Sequence, residues 1–545
     1  MKSLFIIFFA ILSTLLYSCE VEEVSKDTYS IAIITTADLQ SKVEPFEYNN
    51  NGDNILVGGM ARIAEAASDA RKTVDHSLFI SSGDDLSGAF YYYEKGIPEM
   101  KLMTMAGYDV ATPGNHEFDY GWEFYRNALR YADFDIVSSN LNIDNHELAE
   151  RIHPYVVKYL GNIKVGIFGI MTPDLRILST PGSGISVTQD YFTVARNMVK
   201  QLQELDCKII IAAVHISDNL YAELAEKVDG IDIIVGGHSH KFTYLTIDKG
   251  NNKQTVIVED GQLGSHLGVL RFQYQKGTLS NFDWETVLLD STIKSNSRIS
   301  KEVEKFTASY KDSTDKKIAE TLVDINALES SVRYGEANSG NMICDAWLHW
   351  FEEAEVSLIN SGTIRGDDIL PIGDLSYNDI LQLQPYRNYI YKAELTGAEL
   401  NQVLEISGSA LRFIGEEECT DGKRPSNGAF LQVGGIRFTI DSTETPFCAK
   451  YNGKELDELI NTGSRIKNIE VFQSGTWQPI NENKTYIVLI NDYMLNGGDG
   501  YYVFLNPDIS RTNTTMLNID LLVQYIQAHS PISPKIDGRI RIVGD

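Results

Sequence analysis

Ile231-Asp232-Ile233-Ile234-Val235-Gly236-Gly237-His238-Ser239-His240 decides the reading of this chain. A short β-branched run reads as a strand, the two glycines stop it, and two imidazoles follow at once where the chain turns. Outward from this stretch the same grammar recurs. Ile31-Ala32-Ile33-Ile34 leads to Thr36-Ala37-Asp38-Leu39-Gln40, and Ser77-Leu78-Phe79-Ile80 leads to Ser82-Gly83-Asp84-Asp85. Ile209-Ile210-Ile211-Ala212 leads to Val214-His215, and Val165-Gly166-Ile167-Phe168 is a further strand. Helical stretches separate these runs, so residues 29–290 read as an α/β domain.

At 545 residues, with 43% hydrophobic positions, the chain exceeds what one core usually fills, and at least two domains are expected. A formal charge of −28 excludes a sequence-independent grip on a nucleic-acid polymer, which needs a cationic face. Five cysteines without a C-x-x-C pair argue against thiolate zinc sites and a dithiol redox motif. The chemistry is therefore sought in His, Asp and Asn. Residues 291–318, rich in Ser, Lys, Asp and Glu with few large apolar side chains, read as an exposed connecting helix and a boundary. Beyond it, helix-like residues 341–351, an apolar strand at 356–359 and a helix start at 395–400 predict a second α/β domain over 319–545.

The first 18 residues have the charged start and short apolar run (residues 4–17) of a secretory signal, too short to span a bilayer. Leu15-Leu16-Tyr17-Ser18-Cys19 resembles a bacterial lipoprotein box. The resemblance implies lipidation at Cys19, a tether made by lipid alone, and an extracytoplasmic location facing the periplasm or cell surface. Such a location permits disulfides; whether Cys419 and Cys448 pair stays open at this level.

Between the strands the polar residues form a set: Asp38 and Gln40, Gly83-Asp84, Gly114-Asn115-His116-Glu117-Phe118-Asp119, His215, and His238 with His240. Carboxylate, amide and imidazole groups on loops after strands are what two divalent cations sharing a bridging carboxylate require. The order resembles the calcineurin-like metallophosphoesterases, and the Gly-Asn-His-Glu-Phe-Asp stretch resembles their 5′-nucleotidase branch. The resemblance implies a four-layer β-sandwich flanked by helices, with two metal ions such as zinc or manganese. Asp84 would bridge them, Asp38 and His240 would hold one, and Asn115, His215 and His238 would hold the other. His116 would approach the leaving-group oxygen, oriented by Asp119, while water activated by the two metals attacks phosphorus. Gln40 departs from the pattern, since the family usually has His there; a neutral amide oxygen would weaken the site or change its metal preference. Asp85 is at most a supporting neighbour. His76, His146, His153, His266, His349 and His529 lie outside the motifs and read as structural or surface residues.

The second half carries longer motifs: Glu336-Ala337-Asn338-Ser339-Gly340-Asn341, Asn360-Ser361-Gly362-Thr363-Ile364-Arg365, Leu383-Gln384-Pro385-Tyr386 and Asn491-Asp492-Tyr493-Met494-Leu495-Asn496-Gly497-Gly498-Asp499. These also resemble the 5′-nucleotidases, whose C-terminal domain is a smaller α/β unit that binds substrate. The resemblance implies that Tyr386 and Tyr493 sandwich a base, that Asp499 accepts from ribose hydroxyls, and that Arg333, Asn360 and Arg365 surround ribose and phosphate. Arg333 is matched mainly by spacing. Rotation of the second domain about the connector is implied as well.

The expected activity is hydrolysis of nucleoside 5′-monophosphates to nucleoside and phosphate. Two alternatives use the same scaffold: a 2′,3′-cyclic-nucleotide phosphodiesterase with 3′-nucleotidase activity, and a UDP-sugar or dinucleotide pyrophosphatase. A non-enzymatic alternative is a nucleotide-binding lipoprotein whose metal centre Gln40 has disabled.

Overall fold

The computed structural model describes residues 28–544 except 51–52, 145, 251–252, 415 and 417–418. The signal segment and Cys19 lie outside the described residues. Two sheets face one another in the first half. One runs, in spatial order, Thr278–Leu288, His266–Gln275, Tyr29–Thr36, His76–Ser81, Val110–Ala111, Asp135–Val137 and Ile152–His153. The other runs Phe242–Gly250, Lys253–Asp260, Ile233–Gly237, Ile209–His215, Ile163–Met171 and Tyr155–Leu160.

Alternation along each strand splits the apolar residues between two faces. Ile31, Ile33, Leu78, Ile80, Val165, Ile211 and Val235 fill the space between the sheets. Ala32, Ile34 and Phe79 face helices Met60–Arg71 and Ile97–Ala106, while Ile210, Ala212 and Val214 face helices Tyr191–Glu204 and Asn219–Lys227. The result is the expected helix–sheet–sheet–helix sandwich. Parallel pairing aligns the strand ends: Thr36 sits opposite Ser81, and His215 lies opposite both Met171 and Gly237. Every loop that carries a candidate ligand therefore opens on one edge.

The second half is a separate α/β unit, as expected. Its five-stranded sheet runs Leu431–Gly434, Val356–Asn360, Thr485–Asn491, Tyr389–Thr396 and Arg511–Leu517. Helices Asn338–Trp350, Gly397–Gly408 and Asn518–His529 cover it, the second started by a Thr396–Glu399 capping box. Cys419 and Cys448 form a disulfide. Among the described residues no helix is long and apolar enough to cross a membrane.

The connector differs from expectation. Helix Ser297–Thr314 buries Ile299, Val303, Thr307, Tyr310 and Thr314 on one face against the first unit's helices. A 3.6-residue period needs only these few positions to bury a stripe, which the polar majority of the segment conceals in a composition count. Tyr310 packs edge-to-face on Phe90 at 5.3 Å and donates to Asn378 Oδ1 at 2.7 Å, so it touches both units.

Candidate active site

The ligand loops are held to one another by backbone. Asp38 N–H donates to the Gly83 carbonyl, Gln40 N–H to that of Asp84 and Ser41 N–H to that of Asp85, each at 2.9 Å. This zipper twists the chain: Asp38, Gln40, Asp84, His238 and His240 all have left-handed φ, from 45° to 88°. Five non-glycine residues in that region mark stored strain of the kind that clusters at functional sites. At Gly83 (φ 98°) a Cβ would fall 2.6 Å from the Gly114 nitrogen, and at Gly114 one would fall 2.2 Å from Asp84 Oδ1. Only glycine lets the two loops approach this closely.

Three donor atoms converge in one half of the site. His215 Nδ1 meets the Ser82 carbonyl at 2.8 Å, which leaves Nε2 facing Asp84 Oδ2 at 3.1 Å and His238 Nδ1 at 3.2 Å. Asp84, His215 and His238 each place one such atom within 4.8 Å of the others. In the other half, His240 Nε2 lies 3.4 Å from Asp38 Oδ1. Asp38 Oδ1 and Asn115 Oδ1 are buried acceptors without a hydrogen-bond partner. Such orphaned oxygens beside imidazole nitrogens fit divalent cations, which satisfy them without donating a proton. The electrostatics agree. Burial opposes the charge on both partners, yet His215 and His116 hold the Asp84 carboxyl far below its usual range, and Asp84 raises His215 to about 10. Burial and then His215 push His238 down to about 4. The group calls for positive charge between its members, which a divalent cation supplies while leaving imidazole neutral.

His116 stands beside this set rather than in it. Its Nδ1 lies 2.7 Å from Asp119 Oδ2, its backbone N–H donates to Asp84 Oδ1 at 2.8 Å, and Ser179 Oγ donates to the other Asp119 oxygen at 3.0 Å. The side chain is oriented and looks into the cleft.

Gln40 reaches the site in an unexpected attitude. Its Nε2 lies 3.2 Å from His240 Nε2, and its Oε1, the atom expected to ligate, accepts from Arg365 of the second unit at 3.4 Å. Sequence reasoning assigned no role to Glu117, which is 1% exposed and accepts four backbone N–H groups. Oε2 takes those of Gly114 (2.7 Å) and Asp84 (3.2 Å), and Oε1 takes those of Asp85 (2.7 Å) and Leu86 (3.2 Å). It ties the Asp84 loop to the Asn115 loop. Its place inside the quoted motif was visible, but three of its four partners come from a different loop.

Across the cleft, a cavity of about 760 Å³ runs from Asp84, Asn115, His116 and His238 to Arg333, Tyr386, Tyr493 and Asp499. Asp499, at φ 55°, accepts from Asn360 Nδ2 at 2.6 Å and from Tyr493 OH at 3.1 Å. Asn491 in turn donates to Asn360 Oδ1 at 3.0 Å. A Cβ on Gly498 would lie 2.5 Å from the Tyr493 ring, so this glycine lets that ring lie on the turn. Arg333 pairs with Glu329 at 2.7 Å and donates to Asn427 Oδ1 at 3.1 Å. Tyr386 packs 6.4 Å from Tyr120 of the first unit. Lys423 bonds both oxygens of Asp174 across the cleft at 2.8 Å.

Comparison with known proteins agrees with this two-part build. The calcineurin-like phosphoesterase family matches residues 31–242, and the 5′-nucleotidase C-terminal domain family matches residues 317–506. The chain is 29% identical over 91% of its length to a trifunctional nucleotide phosphoesterase of Bacillus subtilis, of which it spans 34%. It is 26% identical to the rat 5′-nucleotidase, covering 94% of this chain and 91% of that protein. Among solved structures, a 5′-nucleotidase precursor from Thermus thermophilus superposes with a TM-score of 0.81 at 25% identity, covering 95% of this chain and all of that one.

Proposed function

Because the chain belongs to the 5′-nucleotidase family, uniting a calcineurin-like phosphoesterase domain with a 5′-nucleotidase C-terminal domain, we propose that it hydrolyses nucleoside 5′-monophosphates to nucleoside and phosphate. One observation carries this reading: a single cavity joins Asp84 and His238 of the Asp84–His215–His238 cluster to the Tyr386, Tyr493 and Asp499 pocket. A phosphate and a base at its two ends would be bound by one molecule.

Asp38, Asp84, Asn115, His215, His238 and His240 are the residues that would hold two divalent cations. Bound there, the cations lower the pKa of water and neutralise phosphoryl oxygens. The chain's own groups do the rest. Arg365 offers a guanidinium to the phosphoryl oxygens, the fork geometry suited to such anions. His116, fixed through Nδ1 by Asp119, presents Nε2 to the oxygen that leaves and stabilises or protonates it. Tyr386 and Tyr493 offer aromatic faces to a base, and Asp499 offers a carboxylate to ribose hydroxyls.

An extracytoplasmic, lipid-tethered location through Cys19 is part of this proposal. It is supported by the apolar segment at residues 4–17 and by the Cys419–Cys448 disulfide, which persists in oxidising compartments. The activity test is phosphate release from AMP by the protein from Glu20 onward, stripped of metal and refilled separately with zinc, manganese, magnesium or calcium. Metal-dependent release is expected. Silence with AMP in every metal, alongside turnover of cyclic nucleotides or pyrophosphates, would overturn the choice of substrate.

A further inference from the structure

Arg176 and Lys454 are cavity cations that, like Arg387 over the Tyr92 ring, take no part in the chemistry above. Arg176 lies on the short helix Leu175–Leu178 of the first unit, and Lys454 lies between strands Phe447–Asn452 and Glu455–Thr462 of the second. Both line the cavity. Among the described residues neither has a carboxylate within ion-pair distance: Arg176 donates to the Ile185 carbonyl, and Lys454 lies 5.6 Å over the Tyr493 ring. Both flank the Gly497–Gly500 turn: the Arg176 helix packs on Gly498–Gly500, and a Cβ on Gly497 would lie 3.2 Å from Lys454 Cβ. Burial lowers the proton affinity of Lys454 and Arg176 lowers it further, while Asp499 and Asp492 act in the opposite sense.

Two unpaired, mutually repelling cations are an unusual arrangement in a chain of net charge −28, where acidic partners abound. Asp499 is held by Asn360 and Tyr493, one on each oxygen, and forms no ion pair with either cation. The helix bearing Arg176 packs on the Gly498–Gly500 turn, and the adjacent Asp174 is bonded to Lys423. The pair is therefore assembled from both units, beside the turn that carries Asp499.

Resting on the proposed 5′-nucleotidase reading, we infer that Arg176 and Lys454 form a second anion subsite, which fits this cleft to nucleoside 5′-monophosphates bearing a further phosphate on the ribose 2′ or 3′ oxygen. The subsite changes which nucleotide is held, not the bond that is cut. The bond between phosphorus and the 5′ oxygen breaks, a bond from phosphorus to water oxygen forms, a proton passes to the 5′ oxygen, and the ribose phosphate leaves with the nucleoside.

The test compares adenosine 3′,5′-bisphosphate and adenosine 2′,5′-bisphosphate with AMP, by kcat/KM in the metal-loaded protein and by calorimetric Kd in the metal-stripped protein. Wild type, Lys454→Met and Arg176→Met are compared. At least one bisphosphate is expected to be preferred over AMP in wild type, and each substitution should cut that preference about tenfold, the scale of one charge-assisted hydrogen bond. A preference that neither substitution changes, or bisphosphate and AMP constants that fall together, would overturn the subsite. If AMP is not hydrolysed at all, the activity proposal fails; the Kd ratio in the stripped protein still decides the subsite, because it needs no turnover.

Discussion

Arg365, carried by the second unit, donates to Gln40 Oε1, in the first, at 3.4 Å. The one residue that departs from the expected ligand pattern is thus also a point where the two units touch over the site. An amide can accept from a guanidinium and face an imidazole at the same time. A histidine there would have to give up one of those roles to ligate a cation.

Gln40→His is therefore expected to tighten metal retention and to weaken the contact with Arg365. Metal content after dialysis should rise, and the KM for AMP should rise with it. Unchanged or weaker retention would show that position 40 does not reach the cations.

His116→Ala is expected to lower kcat by two or more orders of magnitude with metal content unchanged, since the ring lies beside the ligand set and faces the cleft. Asp119→Asn should cost less, because the ring loses orientation but stays in place. Near-wild-type turnover in the His116 variant would remove it from the mechanism.

Glu117→Gln replaces a carboxylate that accepts four backbone N–H groups with an amide that can accept at only one end. A buried backbone donor left unsatisfied costs about 1–3 kcal/mol, and two N–H groups would face the amide nitrogen, so a loss of at least about 2 kcal/mol of stability is expected. Metal should also be held less tightly as the Asp84 and Asn115 loops separate. Denaturant midpoints and metal content check both; an unchanged midpoint would show that the clamp carries no stability.

Glu99, 2% exposed, accepts from Ser41 Oγ at 2.7 Å while its Oε2 is without a partner. Burial pushes its carboxyl up to about 7 from 4.5; the Ser41 hydrogen bond works against this and the charge of Glu94 adds to it, while Lys42 and Asp85 line the same small pocket. The native state holds a proton that the unfolded chain has released, so stability falls as pH rises from about 4.5 to about 7 and the loss is complete above that. Glu99→Gln should flatten this slope. Urea midpoints at about pH 5 and about pH 8 measure it, and an equal slope in both proteins would assign the effect elsewhere.

Lys423 and Asp174 close the cleft at 2.8 Å, far along the chain from Tyr310, which touches both units through the connecting helix. If turnover needs the cleft to open, joining cysteines at 174 and 423 with a short bis-maleimide should abolish it. Full activity in the cross-linked protein would exclude the motion.

What the sequence determined by itself was the local grammar. Strand runs, the glycines at their ends and the residue types just beyond them are set by short-range sterics and alternation, so an α/β build and the loops bearing Asp38, Asp84, Asn115, His215, His238 and His240 were legible before any contact was known, while the sandwich was implied by the family resemblance. The burial of one face of the connecting helix was not, because composition averages over a stripe that only helical phase reveals. Nor were Glu117 as a clamp, the turning of Gln40 toward Arg365, or the placing of Arg176 and Lys454 about one turn. Each of these depends on a partner brought from a distant part of the chain by sheet register and domain packing. A side chain's type is written in the sequence, but the atom it faces is decided only when the chain closes on itself.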